Sequence, residues 1–384
     1  MAALAPVDRL EVLILVDNVT DNLSSAPSFV EPELGRLWRR GLRLWSGNSI
    51  SYAAHGLSCL LTAYRGERVH TMLFDTGPDE AVFQRNVERL GVEMGKVEAM
   101  MLSHGHWDHG GGMLRALDLI ALGNGGRDVP TYMHPGMFGS RALKFPDGTM
   151  RAFADIANVH ELTQHGAKVV NTTEPQTTLE DMFHVSGEIP RVTPYERGMP
   201  GQHRQSEDGQ GWKPDPLVLD ERFLAVNVKD KGLVVFTACS HAGVVNVMTH
   251  ARSTFSAAPL HAVLGGFHLV GPNEAIISDT VAGLRGLGIK TFIPGHCTGW
   301  RAVNALAQAF GDAVVPCSAN SFADWMKPFQ AARASAPPVL MRRTPSPASS
   351  AWVKPGAPTR TLTGFGATAA TTAWTCSFVF SPGA

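Results

Sequence analysis

The sequence predicts an α/β fold built in layers, with β-sheets inside and helices outside. Three observations predict it. Short β-branched and apolar runs alternate with stretches of helical periodicity. Those runs form two β-rich halves, each followed by helices. Polar clusters also recur where an apolar run gives way to a turn, as in "MLSHGHWDHGGG", Met101 to Gly112. With 384 residues, 44% of them hydrophobic, the chain is long enough to bury a substantial core.

The elements follow in order. "LEVLILVDN", "LSCLLTAYR" and "HTMLFDTG" read as three successive strands. "DEAVFQRNVERLGV" reads as a helix with Val82, Phe83, Val87 and Leu90 on one face, capped by Asp79 and stopped near Gly91. "EAMMLSHGH" is the next strand, and its near-continuous apolar character implies burial on both faces. From about Met113 to Gln210 the pattern loosens into short elements and loops. A second regular half begins near Pro216, with strands "RFLAVNV", "GLVVFTACS", "AVLGGF" and "TFIPGH". Between and after them lie the helices "GVVNVMTHA", "EAIISDTVAGLRGLG" and "RAVNALAQAF". These bounds put a catalytic domain at 8–326. Residues 327–384 turn to Pro, Ala, Ser and Thr, with Lys327, Arg333, Arg342, Arg343, Lys354 and Arg360 and no acid. A largely disordered tail is expected there, in which "AWTCSFVF" is the one stretch able to pair as a strand.

Composition narrows the function classes. Lys and Arg number 33 against 34 Asp and Glu, a formal net charge of -1, so no global positive field recruits nucleic acid. No apolar run approaches membrane-spanning length. "MAALAPVDRLEVLILVDN" carries acids inside its apolar stretch and no basic lead, so it reads as a first strand and not as a signal peptide. Cys59, Cys239, Cys297, Cys317 and Cys376 are never spaced C-x-x-C, which indicates neither a disulfide framework nor a zinc knuckle and fits a reducing cytoplasm. A small-molecule partner is expected, with no nucleic acid or membrane; oligomeric state is not written in the sequence. There is no P-loop, no G-x-S-x-G elbow and no dinucleotide-binding G-x-G-x-x-G.

Donor side chains are concentrated at His104, His106, Asp108 and His109. On an extended segment, residues two apart point to one face, so His104 and His106 can hold one ion. Asp108 and His109 follow at the turn, where Gly110, Gly111 and Gly112 allow close backbone approach and positive φ, and can hold a second ion nearby. Such cations acidify water and stabilise charge on a substrate oxygen. Histidine-rich donors favour zinc, and manganese or iron also suit imidazole and carboxylate. His241, after "LVVFTACS", and His296, between Gly295 and Gly299, repeat the strand-to-turn setting. His268 in "GGFHL" has two readings, a ligand or a donor to a substrate oxyanion. His184 is divided between pocket and packing. Asp17 and Asn18 end the first strand and His55 opens the next, lining a pocket or making an ordinary hairpin.

"HGHWDH" resembles the H-x-H-x-D-H signature of the metallo-β-lactamase superfamily, and the resemblance runs over roughly residues 8–322 with its motifs in order. It implies a metallo-β-lactamase-like αββα sandwich, two central mixed β-sheets with helices outside and a metal site at the sheet edge. "LFDTG" puts Asp75 where the superfamily has an aspartate that buttresses the metal loop. "SHGHWDHGGG", "SGEIPR", "CSHAG", "GGFHL" and "GHCTG" together are similar to one branch, the dihydropterin-ribofuranosylaminobenzene-phosphate synthases and related metal-dependent hydrolases. Asp17, Asn18 and His55 match the same branch.

Two departures stand out. "SGEIP" replaces the usual P-G-H-T-P loop, with Glu188 in the place of a ligand histidine, and Cys239 aligns with the usual bridging aspartate. The ligand set implied is His104, His106 and His241 for one ion, and Asp108, His109 and His296 for the other. Cys239 is an extra ligand or a small buried hydrophobe. Asp108 is expected to orient the nucleophile, with His268 or Glu188 assisting the leaving group; Glu188 alternatively ligates or orients a histidine. The expected activity is a hydrolase using one or two divalent ions, most simply zinc, to activate water toward an unidentified small molecule. A transferase of the synthase type and a catalytically impaired metal-binding scaffold are the alternatives.

Overall fold

Alternation along single strands sets the layers. In strand Arg9–Val16, Leu10, Val12 and Ile14 join one core cluster, while Leu13 and Leu15 join another on the opposite face. In strand Gly232–Thr237, Val234 and Phe236 face that first cluster, and Leu233 and Val235 turn to a third. The shared cluster, with Leu61, Met72, Phe74, Leu224, Val226 and Leu264, is therefore the seam between two sheets. The other two clusters pack helices on the outer faces.

A computed structural model describes residues 4–315, 317–319 and 321–325 of the chain. The first sheet has eight strands in the order Val30–Glu31, Phe322–Asp324, Arg9–Val16, Ser58–Arg65, Arg68–Phe74, Ala99–Met101, Val129–Met133, Ala167–Asn171. It is antiparallel as far as Arg68–Phe74 and parallel beyond. The second has six, in the order Gln176–Thr178, Phe183–Val185, Leu224–Val228, Gly232–Thr237, Leu260–Gly265, Thr291–Pro294, with the last three parallel. Two mixed sheets with helices outside are the αββα arrangement expected.

Helix Glu80–Leu90 starts where Asp79 accepts from the Val82 N–H and ends at Gly91 in the left-handed conformation. Helices Val244–Thr254, Ile277–Arg285 and Trp300–Phe310 cover the second sheet.

The middle of the chain is more ordered than its sequence pattern. Met113–Asn124 is a helix of three turns whose Met113, Ala116, Leu117 and Ile120 are buried at helical spacing. Strands Val129–Met133 and Ala167–Asn171 extend the first sheet. A third, antiparallel sheet of four strands, in the order Trp212–Pro214, Gln202–Gln205, Arg141–Lys144, Met150–Ala152, was not expected at all. The segment carrying His104 and His106 is not extended either. It bends after Met101, with the His106 N–H bonding the His104 carbonyl at 3.1 Å, and then enters one helical turn, Trp107–Gly110.

The tail expected at 327–384, with "AWTCSFVF", lies outside the described residues. Among the described residues no helix is long and apolar enough to cross a membrane.

Candidate metal centre

The carboxyl ends of several strands meet at one edge, where open α/β sheets commonly bind ligands. Arg9–Val16 delivers Asp17 and Asn18, Arg68–Phe74 delivers Asp75, and Ala99–Met101 runs into the histidine loop. From the second sheet, Gly232–Thr237 delivers Cys239 and His241, Leu260–Gly265 delivers His268, and Thr291–Pro294 delivers His296. Four of the nine left-handed non-glycine residues among those described stand here: Asp75, Ser240, His268 and His296, with φ of 56°, 56°, 42° and 46°. Each such residue costs on the order of 1 kcal/mol and persists only where its surroundings over-determine it.

The imidazoles converge, and their hydrogen-bond partners fix which nitrogen carries the proton. His109 Nδ1 lies 2.8 Å from the acceptor Asp75 Oδ2, so Nδ1–H donates and Nε2 keeps its lone pair. Ser103 Oγ–H donates to the same oxygen at 2.8 Å and sits 2.9 Å from His104 Nδ1, which leaves His104 Nε2 as the bare nitrogen. His106 presents Nε2 to Gln202 Oε1 at 2.6 Å, leaving Nδ1 bare. His296 Nδ1 faces Asn18 Oδ1 at 3.0 Å, leaving Nε2 bare.

The bare nitrogens then face one another, His104 Nε2 to His106 Nδ1 at 3.0 Å and His109 Nε2 to His296 Nε2 at 3.2 Å. Both ring nitrogens of buried His241 lack any hydrogen-bond partner, although its ring centroid is 4.9 Å and 5.0 Å from those of His104 and His106. Neutral imidazoles do not hydrogen-bond lone pair to lone pair. Divalent cations between them would satisfy these bare nitrogens and one of the two on His241, so the donor set fits such ions.

Two groups of donors are present. His104, His106 and His241 place one nitrogen each within 4.8 Å of the other two. Asp108 Oδ2 lies 3.3 Å from His296 Nε2 and 3.8 Å from His109 Nε2, bringing Asp108, His109 and His296 together. Cys239 Sγ is 3.2 Å from His109 Nε2 and groups with His104 and His109, between the two sets. At the mouth, half-exposed His55 takes the Asn18 amide at Nδ1, 3.3 Å away, and turns Nε2 toward Asp108 Oδ2 at 3.4 Å.

Burial keeps these imidazoles ready as ligands. It holds His104 and His241 well below the ordinary value, His106 at about 3, and His268 and His296 at about 4. Protons therefore do not compete for them near neutrality. His109 goes the other way: burial opposes its charge, but Asp108 and Asp75 outweigh it and raise its pKa. Asp108 is held well below the usual carboxylate range, its burial outweighed by His109 and His296. Burial pushes the Cys239 thiol well up, so the thiolate needs a cation beside it.

The loop glycines act through close approach and not through positive φ, which none of Gly110, Gly111 and Gly112 adopts. A Cβ on Gly111 would sit 1.9 Å from the Pro78 carbonyl oxygen, and one on Gly112 2.6 Å from that of Thr76.

The other sequence candidates divide. His268 packs its ring 4.5 Å from that of His241, and the Asn273 amide donates toward its Nδ1 at 3.4 Å, turning Nε2–H outward as a donor. A narrow cleft between Arg197, Gly198 and Asn273 reaches both histidines. Asp17 accepts the His296 N–H at 2.7 Å. His184 does not join the cluster. Its strand neighbours Phe183 and Val185 face the seam, so alternation turns His184 outward onto Phe223 and Phe255. Glu188 is exposed and pairs with His134, 3.3 Å away, so the structure does not bring it to the imidazoles.

Several residues that support the site carried no motif. Gln202 orients His106. Glu221 takes the backbone N–H groups of His241 and Ala242 at 2.7 and 2.6 Å, and Asp220 takes that of Gly105 at 2.9 Å while pairing with buried Arg141. Their partners are distant in sequence, so spacing held no signal; Ser103, beside His104, was in plain view.

These features define a protein of metallo-β-lactamase fold with a histidine-rich edge whose donors could hold metal ions. Over 82% of its length the chain superposes on 98% of Tm1679, a metal-dependent hydrolase of the β-lactamase superfamily, with a TM-score of 0.60 and 23% identity. In sequence it is similar to the 7,8-dihydropterin-6-methyl-4-(β-D-ribofuranosyl)-aminobenzene-5'-phosphate synthase of Methanocaldococcus jannaschii, 27% identical over 68% of this chain and 87% of the synthase. An uncharacterized protein of the same organism is 29% identical over 67% of this chain and 89% of its own length. No family model matches the chain.

Proposed function

We propose that the protein is a metal-dependent hydrolase of a small-molecule substrate, with His104, His106 and His241 holding one divalent ion and Asp108, His109 and His296 a second. The observation that carries the reading is the convergence of bare imidazole nitrogens, with both nitrogens of His241 unpartnered. Ions bound there would act as Lewis acids, acidifying water and neutralising charge that develops on a substrate oxygen. Zinc suits this donor set best, with manganese and iron next.

The chain's own residues supply the rest. Asp108, ionised and within 3.4 Å of both His55 Nε2 and His296 Nε2, would orient the attacking water. His268, neutral at pH 7, donates through Nε2–H to the developing oxyanion from the cleft side. Cys59, Cys239, Cys297 and Cys317 are all free thiols, which supports a reducing, cytoplasmic setting.

A second reading is a transferase of the synthase type, favoured by the 27% identity to that enzyme over most of its length. In it the same ions would bind a diphosphate leaving group. One comparison separates the two. Protein loaded with zinc, manganese or iron is offered hydrolysable esters and, separately, a dihydropterin diphosphate with an aromatic amine. Chelator-sensitive water addition, lost in His241→Ala, supports the hydrolase; pterin–amine coupling without hydrolysis replaces it with the transferase. Far less than one ion per chain after loading returns the protein to a catalytically impaired scaffold.

A further inference from the structure

The unexpected third sheet touches the site at one point. Strand Gln202–Gln205 pairs with Arg141–Lys144, Gln202 opposite Leu143, and sets the 1%-exposed Gln202 side chain against His106. The amide cannot be turned round. Gln202 Nε2 meets only acceptors, the Asp215 carbonyl at 3.2 Å and Asp215 Oδ2 at 3.4 Å, so it must be the donor end and Oε1 must face His106. The Asp215 carboxylate is itself held by Arg204 at 3.3 Å.

We propose that Gln202 is a positioning residue that keeps the His106 proton on Nε2, so that Nδ1 is the atom offered to the cation shared with His104 and His241. This rests on the metal-binding reading above and extends it. His104, His109 and His296 are oriented by Ser103, Asp75 and Asn18, which border the first sheet. His106 alone of these four takes its partner from the third sheet, 96 residues further along the chain. Phe153, just past strand Met150–Ala152 of the same sheet, packs edge-on 5.5 Å from the His106 ring and closes off its other side. A neutral imidazole without that acceptor is free to exchange tautomers and to turn, and partners of this kind are worth roughly 10–100-fold in metal affinity.

Two measurements test this. The first uses metal-free wild-type protein and nitrogen NMR of the histidine rings: His106 should show a protonated Nε2 and a bare Nδ1. The reverse tautomer overturns the proposal whether or not the protein binds metal. The second measures zinc affinity by chelator competition for wild type, Gln202→Met and Gln202→Glu, each checked for folding by circular dichroism. Gln202→Met should weaken one of the two ions about 10–100-fold and leave the other unchanged. Gln202→Glu, which keeps an acceptor oxygen, should recover most of that loss. Equal affinity in folded Gln202→Met and wild type overturns the proposal. A wild type that binds no zinc defeats the metal reading instead, and the tautomer then decides on Gln202.

Discussion

His109 Nε2 and His296 Nε2 face each other across 3.2 Å, each with its Nδ1–H already given away, to Asp75 and to Asn18. That contact is repulsive unless a cation or a shared proton occupies it, so ions held there would stabilise the folded chain over an unfolded chain that binds them weakly.

The first prediction follows from that linkage. A ligand at 100 times its dissociation constant stabilises the fold by about 2.7 kcal/mol. Zinc or manganese added to chelator-treated protein should therefore raise its melting temperature by several degrees, and His241→Ala should remove part of the gain. Thermal melts with and without chelator check it; identical curves would count against a preformed cation site.

Of the proposed ligands, Asp75 buttresses two, His104 and His109, and Asn18 one, His296, along with His55 at the mouth. Asp75 takes His109 directly and reaches His104 through Ser103 Oγ. Asp75→Ala should weaken both ions, each by at least 10-fold, whereas Asn18→Ala should weaken chiefly the ion held by His296. Chelator competition on the two variants distinguishes a shared buttress from a local one.

The layers and the donor residues were legible in the sequence because both follow local rules. Apolar runs such as "LEVLILVDN" and "GLVVFTACS" announce strands buried on both faces, and His104, His106, Asp108 and His109 fall within six residues. What supports them was not legible. Glu221 holds His241 across 20 residues and Gln202 holds His106 across 96, contacts created by chain crossing and not by spacing. The third sheet was hidden for a related reason: its strands are three or four residues long and half exposed, too short for a period to show. Glu188 illustrates the opposite limit: its place in a motif left several roles open, and the fold sets it beside His134, away from the clustered imidazoles.

Gly111 carries a stability prediction independent of metal. Its φ is an ordinary -65°, so alanine causes no conformational strain, but its Cβ would lie 1.9 Å from the Pro78 carbonyl oxygen. Backbone on both sides leaves nothing flexible to yield. Gly111→Ala should cost about 3 kcal/mol, at the upper end of overpacking, while Gly47→Ala, with nothing within 4 Å, should be near neutral. Denaturant melts of the two variants test the contrast.

Acid should unfold the metal-free protein at unusually mild pH. His104, His106, His241, His268 and His296 all have folded pKa values below the ordinary 6.5, through burial. Below pH 6.5 the unfolded chain takes up these protons first, so the stability tied to neutral imidazole is present above 6.5 and is lost as pH falls toward 4. Buried groups with raised pKa values oppose this, the carboxyls of Asp17, Asp75, Glu196 and Glu221 and the imidazole of His109. Glu221 is raised to about 7 and Asp17 to about 6, both by burial, so each favours the folded state as pH falls. Burial also lowers His134, His184, His250 and His261, so the lowered imidazoles outnumber the opposing groups and stability should fall as pH drops from 6.5 toward 4.5. Bound cations should shift that loss without abolishing it, because they too require the bare nitrogens. Urea melts of chelator-treated protein at half-unit steps from pH 7.5 to 4.5 measure the slope. A flat profile across that range would mean that these imidazoles titrate as they do in water, and the closed, dry site described here would not be the one in solution.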